Sequence, residues 1–218
     1  MKKLLKTVCL ILTVTMFFPV VTQARNEDFQ TNYLNGADLK DFEQLLKKIQ
    51  DIKNKHPEYT NEKIKKIMDN QKLERGIIDI WNALTDSEKN LCIRYPLDAL
   101  KVNTAKNIAT SQTEEKFGTN GLGDRSDAFR HGLWNAEMTV LIGKDKAELF
   151  ATAHEDKDVT GTESDGYPKT SHRDMDLHNN EIGREIGEKH SGASEDEMGD
   201  IVYNEVFSES TQFIWLHD

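Results

Sequence analysis

Small residues recur at four-residue spacing in two stretches that otherwise read as helices: Ala128, Gly132 and Ala136 in one, Gly183 and Gly187 in the other. A glycine inside a helix costs about 1 kcal/mol against alanine, and close approach of a neighbouring helix compensates for it. The same spacing puts the small side chains on one face, one above another. The chain is therefore expected to fold as packed helices. Runs that alternate apolar and polar residues are scarce, and no strand is predicted.

Helix starts are frequent. Thr85 to Glu88, Ser171 to Asp174 and Ser194 to Glu197 each place an acid three residues after a hydroxyl. Side chains at that spacing satisfy each other's orphan N–H groups, so helices are predicted from about 86, 172 and 195. With the apolar periodicity, the full set is 77–84, 86–94, 97–116, 125–142, 145–155, 172–190 and 195–215. Pro96 suits a first helical turn. Gly143 and Gly192 suit the position just past a helix end, where a left-handed conformation is needed. Residues 156–170 read as a loop.

Residues 1–24 have a different character. A basic start (Lys2, Lys3, Lys6) precedes an apolar run from Val8 to Val21 and the polar step Thr22-Gln23-Ala24. This is the layout of a cleavable secretion signal, and the run is shorter than the ~20 residues of a bilayer-spanning helix. A secreted or extracytoplasmic protein without a permanent membrane anchor is expected. Cleavage would remove three lysines and no acid, leaving 25 basic against 38 acidic residues, a net charge of −13. Such a surface repels phosphate backbones, so no direct nucleic-acid binding is expected, although a metal-using nuclease stays open. Cys92 would be the sole remaining cysteine; it cannot form an internal disulfide and reads as a buried apolar side chain.

Between Asp38 and Asn70 the chain is lysine-rich, with Leu39, Phe42, Leu45, Leu46, Ile49 and Ile52 at helical spacing, then Ile64, Ile67 and Met68. His56-Pro57 separates the two patterns. Residues 25–75 thus read as a helical hairpin whose narrow apolar stripes suit a protein partner or the rest of the chain. The expected organisation is a signal at 1–24, the hairpin at 25–75, and a compact all-α, multi-helix domain at 76–218 that carries any site.

Three segments of that domain hold residues that are expensive to bury. On a helix Asp127 and His131 share a face, with Trp134 and Asn135 one turn on. Phe129 and Leu133 fall on another side, so this helix should be buried on most faces. His154 and Glu155 end an apolar helix beside the acidic loop. Asp176 and Asn180 share a face with Gly183 and Gly187, while His178 points elsewhere. The expected site has His131, His154 and Asp176 as metal ligands, with Glu155 (the general base) and Asp127 as catalytic carboxylates. Oxygen and imidazole donors suit a divalent ion, zinc ahead of calcium. The same groups could instead be a hydrogen-bonded network that only ties helices together. Arg130 and Arg184 read as ion-pair partners for the surplus acids. The stretch Asp156 to Gly161 opens like a calcium loop, but Tyr167 stands where a bidentate Glu is needed.

The order Leu84-Thr85, Tyr95-Pro96, Asp127-Ala128-Phe129-Arg130-His131, Trp134-Asn135-Ala136, Ala153-His154-Glu155, Met175-Asp176-Leu177-His178-Asn179-Asn180 and Gly183-Arg184 spans residues 77–190. It resembles a domain of unknown function found in secreted bacterial proteins and as a terminal module of polymorphic-toxin-like proteins. The resemblance implies a bacterial, exported or effector-like role and assigns no reaction to any residue. The leading expectation is a secreted, metal-assisted hydrolase of unknown substrate. The alternative is a non-catalytic binding or immunity-type protein whose polar network is scaffolding.

Overall fold

A computed structural model describes residues 36–218, so the signal expected at 1–24 and the first part of the hairpin segment lie outside the described residues. Within them the chain forms nine helices: α1 (Gly36–Lys55), α2 (Asn61–Asn70), α3 (Arg75–Ala83), α4 (Asp86–Arg94), α5 (Pro96–Phe117), α6 (Arg125–Ile142), α7 (Lys144–His154), α8 (Lys169–Lys189) and α9 (Glu195–Val206). The described residues hold no strand, only an isolated bridge between Thr162 and Pro168. The fold is all-α, as expected.

Local chemistry explains most of the boundaries. Thr85 and Glu88 form a reciprocal cap on α4, with the Thr85 amide donating to Glu88 Oε2 at 2.7 Å, and Ser194 and Glu197 do the same on α9. Pro96 opens α5, and Gly143 closes α6 with φ 85°. Two expectations at α8 are corrected. The helix starts at Lys169 behind Pro168 with no side-chain cap, because the Thr162–Pro168 bridge and the Lys169 N–H donating to the Gly161 carbonyl deliver the chain already turned. It ends at His190 with φ −116°, the His190 amide donating to Ile186, so Gly192 needs no left-handed conformation.

The core is built around α6, whose residues from Ser126 to Thr139 are buried on every side except at Arg130. It touches α5, α7, α8 and α9. The tightest pairing is with α8, where the small residues meet. A Cβ on Gly183 would overlap the carbonyl oxygen of Gly132, and one on Gly187 would overlap that of Ala136. Any larger side chain would separate the two helices, and with them every group they hold in common. Phe42, Leu45, Leu46 and Ile49 of α1, with Ile64 and Met68 of α2, are buried in the same core. Cys92 is buried too, and burial pushes its thiol up to about 12.

The C-terminal segment departs from expectation. The helix predicted to reach 215 stops at Val206, and residues 207–218 run back across α6 and α8 as a strap. Phe213 fills the notch over Gly132. The Asn179 amide grips the Ile214 backbone from both sides, donating to its carbonyl at 2.8 Å and accepting from its N–H at 3.0 Å. The Leu216 amide then donates to the Gly123 carbonyl at 2.7 Å. These tertiary contacts outweigh the short-range helical signal.

Candidate metal centre

Asp127 and His131 project from the buried face of α6, and Asp176 projects from the facing side of α8. Because the glycine contact brings these helices together, the three side chains converge. One ligand atom from each can be chosen so that all lie within 4.8 Å of one another, the one such group among the described residues. The His131 Nε2 atom stands 3.5 Å from Asp127 Oδ1 and 3.5 Å from Asp176 Oδ1. Atoms bound to a single ion at about 2.0–2.2 Å stand roughly 3.0–3.6 Å apart, so the spacing fits a shared cation.

The other ring nitrogen decides how Nε2 presents itself. His131 Nδ1 lies 3.2 Å from Asn180 Oδ1, an atom that can only accept, so Nδ1 carries the proton. Asn135 donates to the same oxygen at 2.6 Å and is itself held by Arg184 through Asn135 Oδ1 at 3.2 Å, which fixes the Asn180 amide. With Nδ1 protonated, neutral His131 aims its Nε2 lone pair between two carboxylate oxygens. Burial drives His131 below its ordinary value, which favours that neutral form. Three electron-rich atoms face one point.

The surrounding charges sharpen this. Asp127 is anchored at both oxygens, with Gly123 N–H donating to Oδ2 at 2.7 Å and Arg130 paired to Oδ1. Asp176 Oδ1 and Glu155 Oε1 are buried with no hydrogen-bond partner. Glu155 Oε1 stands 3.9 Å from His131 Nδ1. Burial, and then the charge of Asp127, pushes Asp176 up to about 7; burial also raises Glu155. Buried, unpartnered carboxylates are costly, and either a proton or a cation lowers that cost. Asn180 Nδ2 is likewise without a partner.

His154 sits apart from this group of three. Its Nδ1 pairs with Glu88 Oε1 at 2.8 Å, Lys157 Nζ approaches Nε2 at 3.0 Å, and Trp134 packs edge-on at a centroid distance of 5.2 Å. Glu88 therefore has a second role that the capping pattern conceals: one oxygen caps α4 while the other orients His154. Burial pushes Glu88 up, but His154, the Thr85 amide and Lys157 together outweigh it and hold the carboxyl below its ordinary value. His178 lies outside the centre and binds the Gln212 carbonyl at 2.8 Å.

A further cluster went unread in the sequence. Asp165 Oδ2 bridges His172 Nε2 at 3.0 Å and His217 Nε2 at 3.2 Å, and Oδ1 accepts from the Tyr167 amide at 3.1 Å. It forms only because the strap folds back, and His217 gave no local signal of that. In the loop, Asp158 turns onto its own Thr160 amide at 3.0 Å. No helix among the described residues is long and apolar enough to cross a membrane.

A family model described as a domain of unknown function (DUF6973) matches residues 89–210. The match contains Asp127, His131, His154, Glu155, Asp176 and Asn180 and stops short of Glu88. No curated protein and no solved structure matches the chain.

Proposed function

This chain belongs to the DUF6973 family, and from that premise we propose that it is a metal-dependent hydrolase acting on a phosphoester or related bond. One observation carries the proposal: His131 Nε2 stands 3.5 Å from each of two buried carboxylate oxygens. The distances favour Asp127, with His131 and Asp176, as the ligand set in place of His154. A bound divalent ion such as zinc would polarise the scissile group and acidify a water. Asn180 keeps the His131 proton on Nδ1, as outer partners of ligating histidines commonly do. Glu155, raised by burial, is suited to take a proton from the attacking water and return it to the leaving oxygen. The water oxygen would bond to the reacting centre as the bond to the leaving oxygen breaks. Arg130 fixes Asp127, and Glu88 fixes His154 at the edge.

The basic start and apolar run of residues 1–24 support an exported protein, and the resemblance to toxin-like modules supports an effector role. Purified protein incubated with zinc and dialysed is expected to retain about one ion per chain and to cleave bis-p-nitrophenyl phosphate. His131→Ala should lose both. Absence of bound metal together with unchanged cleavage by His131→Ala would overturn the proposal.

A second reading has its own support. The Arg184–Asn135–Asn180–His131 chain ties α6 to α8 and would serve a non-catalytic binding protein equally well, with the segment 25–75 meeting a partner. In that case His131→Ala would shift the melting temperature and leave metal content at zero in both proteins.

A further inference from the structure

A cleft of about 400 Å³ opens beside the centre, within the ~300–1,000 Å³ range of small-ligand sites. Its lining mixes apolar and charged side chains. Phe42 of α1, Ile80 of α3, Leu84, Val102 of α5 and Phe150 of α7 give an apolar wall. The polar lining includes Asn103, Lys106, Arg130, His131 and His154, together with Glu88, whose carboxylate is paired to His154. Lys106 is exposed and forms no ion pair among the described residues, although the chain is acidic, with a net charge of −10. Its ammonium, with Arg130, offers positive charge at the cleft to an anionic group of a ligand.

We infer that the substrate is an amphiphile: a phosphoester head set against Lys106 and the metal centre, with an alkyl or acyl chain laid along the wall of Phe42, Ile80 and Leu84. This rests on the hydrolase reading for its chemistry but not for its binding surface. The polar groups at the head, Lys106, Arg130, His131 and His154, lie inside the family-matched residues 89–210. Phe42, Ile80, Ala83 and Leu84 lie before them. A nucleic acid fits less well, since the chain as a whole is acidic, with a net charge of −10, and repels an extended polyanion.

Calorimetry with ethyl phosphate, octyl phosphate and octanol, each below its micelle concentration, tests the inference. Octyl phosphate is expected to bind at least tenfold tighter than ethyl phosphate, because each methylene laid on the wall leaves water. Lys106→Glu should weaken octyl phosphate about tenfold or more and leave octanol unchanged, since only the head meets the charge. Ala83→Trp, at an exposed position on the cleft rim, should weaken both while the zinc content of the protein stays as in wild type. Equal affinity at all chain lengths with zinc bound overturns this inference and leaves the metal reading standing. Chain-length dependence without zinc supports the cleft and removes the metal. If Ala83→Trp does not fold, the chain-length series and Lys106→Glu still decide.

Discussion

Two clusters of imidazole and carboxylate among the described residues, at Asp165 and at His131, are balanced in opposite ways. At Asp165 one carboxylate receives donors from two histidine rings and a backbone amide, and each of its oxygens has a partner. At the α6–α8 contact the proportion is reversed: Asp127, Asp176 and Glu155 crowd around His131, with orphan oxygens on two of them. Residue type alone does not separate a latch from a site. What separates them is whether the acceptors outnumber the donors once the chain is folded.

The largest expected effect tests the support behind the unbalanced cluster. Asn180→Ala should weaken zinc binding about 10–100-fold, the usual cost of losing the group that orients a ligating histidine. His172→Ala should leave zinc affinity unchanged. Competitive titration with a chromogenic chelator measures both, and equal losses would erase the distinction.

Next in size is a difference of sign. In metal-free protein at pH 8, Asp176→Asn should raise stability by on the order of 1–2 kcal/mol. The reason is that Asp176 is pushed up to about 7 by burial and then by Asp127. The folded state therefore binds that proton more readily than the unfolded one. Its ionised form costs stability at alkaline pH, a cost that disappears below the ordinary value near 3.9. Asp165→Asn should lower the melting temperature instead, since it weakens contacts the fold already uses. Thermal melts of both variants after chelator treatment decide; two shifts of the same sign would break the comparison.

The smallest effect concerns the strap. The Asp218 carbonyl first, with Asp165 and the Leu122 carbonyl, holds His217 above its ordinary value. Burial pushes Asp165 up, but the Tyr167 amide and the two rings outweigh it and hold it down. The His217 contribution is complete below about pH 6.5 and fades as pH rises through the raised value. The Asp165 contribution is complete above about pH 3.9 and fades as pH falls through the lowered one. Hydrogen exchange at the Leu216 amide, corrected for intrinsic rate, should accordingly show weaker protection at pH 8.5 than at 5.5. Equal protection would mean that Phe213 and Asn179 hold the strap alone.

Much of this was legible in the chain, and for a common reason. Thr85 with Glu88, Ser194 with Glu197, the pair Asp127 and His131, and the pair Asp176 and Asn180 all depend on spacings of three or four residues. A helix translates such a spacing into a contact or a shared face without help from the rest of the fold. The glycines at 132, 183 and 187 announced a close helix contact on the same grounds. The errors lie where a distant segment overrides the local signal. Ser171 was passed over as a cap because the loop bridge starts α8 earlier, and residues 207–215 left the helical path for the notch over Gly132.

By itself the sequence determined an all-helical chain, the position of most helix starts, and which polar groups would share a buried face. Only the tertiary structure decided that Asp127 joins His131 and Asp176 while His154 pairs with Glu88, and that Asp165 gathers two histidines from either side of it in the chain. The physical reason is reach. Backbone hydrogen bonds and caps act over a turn, whereas a shared ligand point requires helices far apart in sequence to settle within ångströms, and that distance is set by packing.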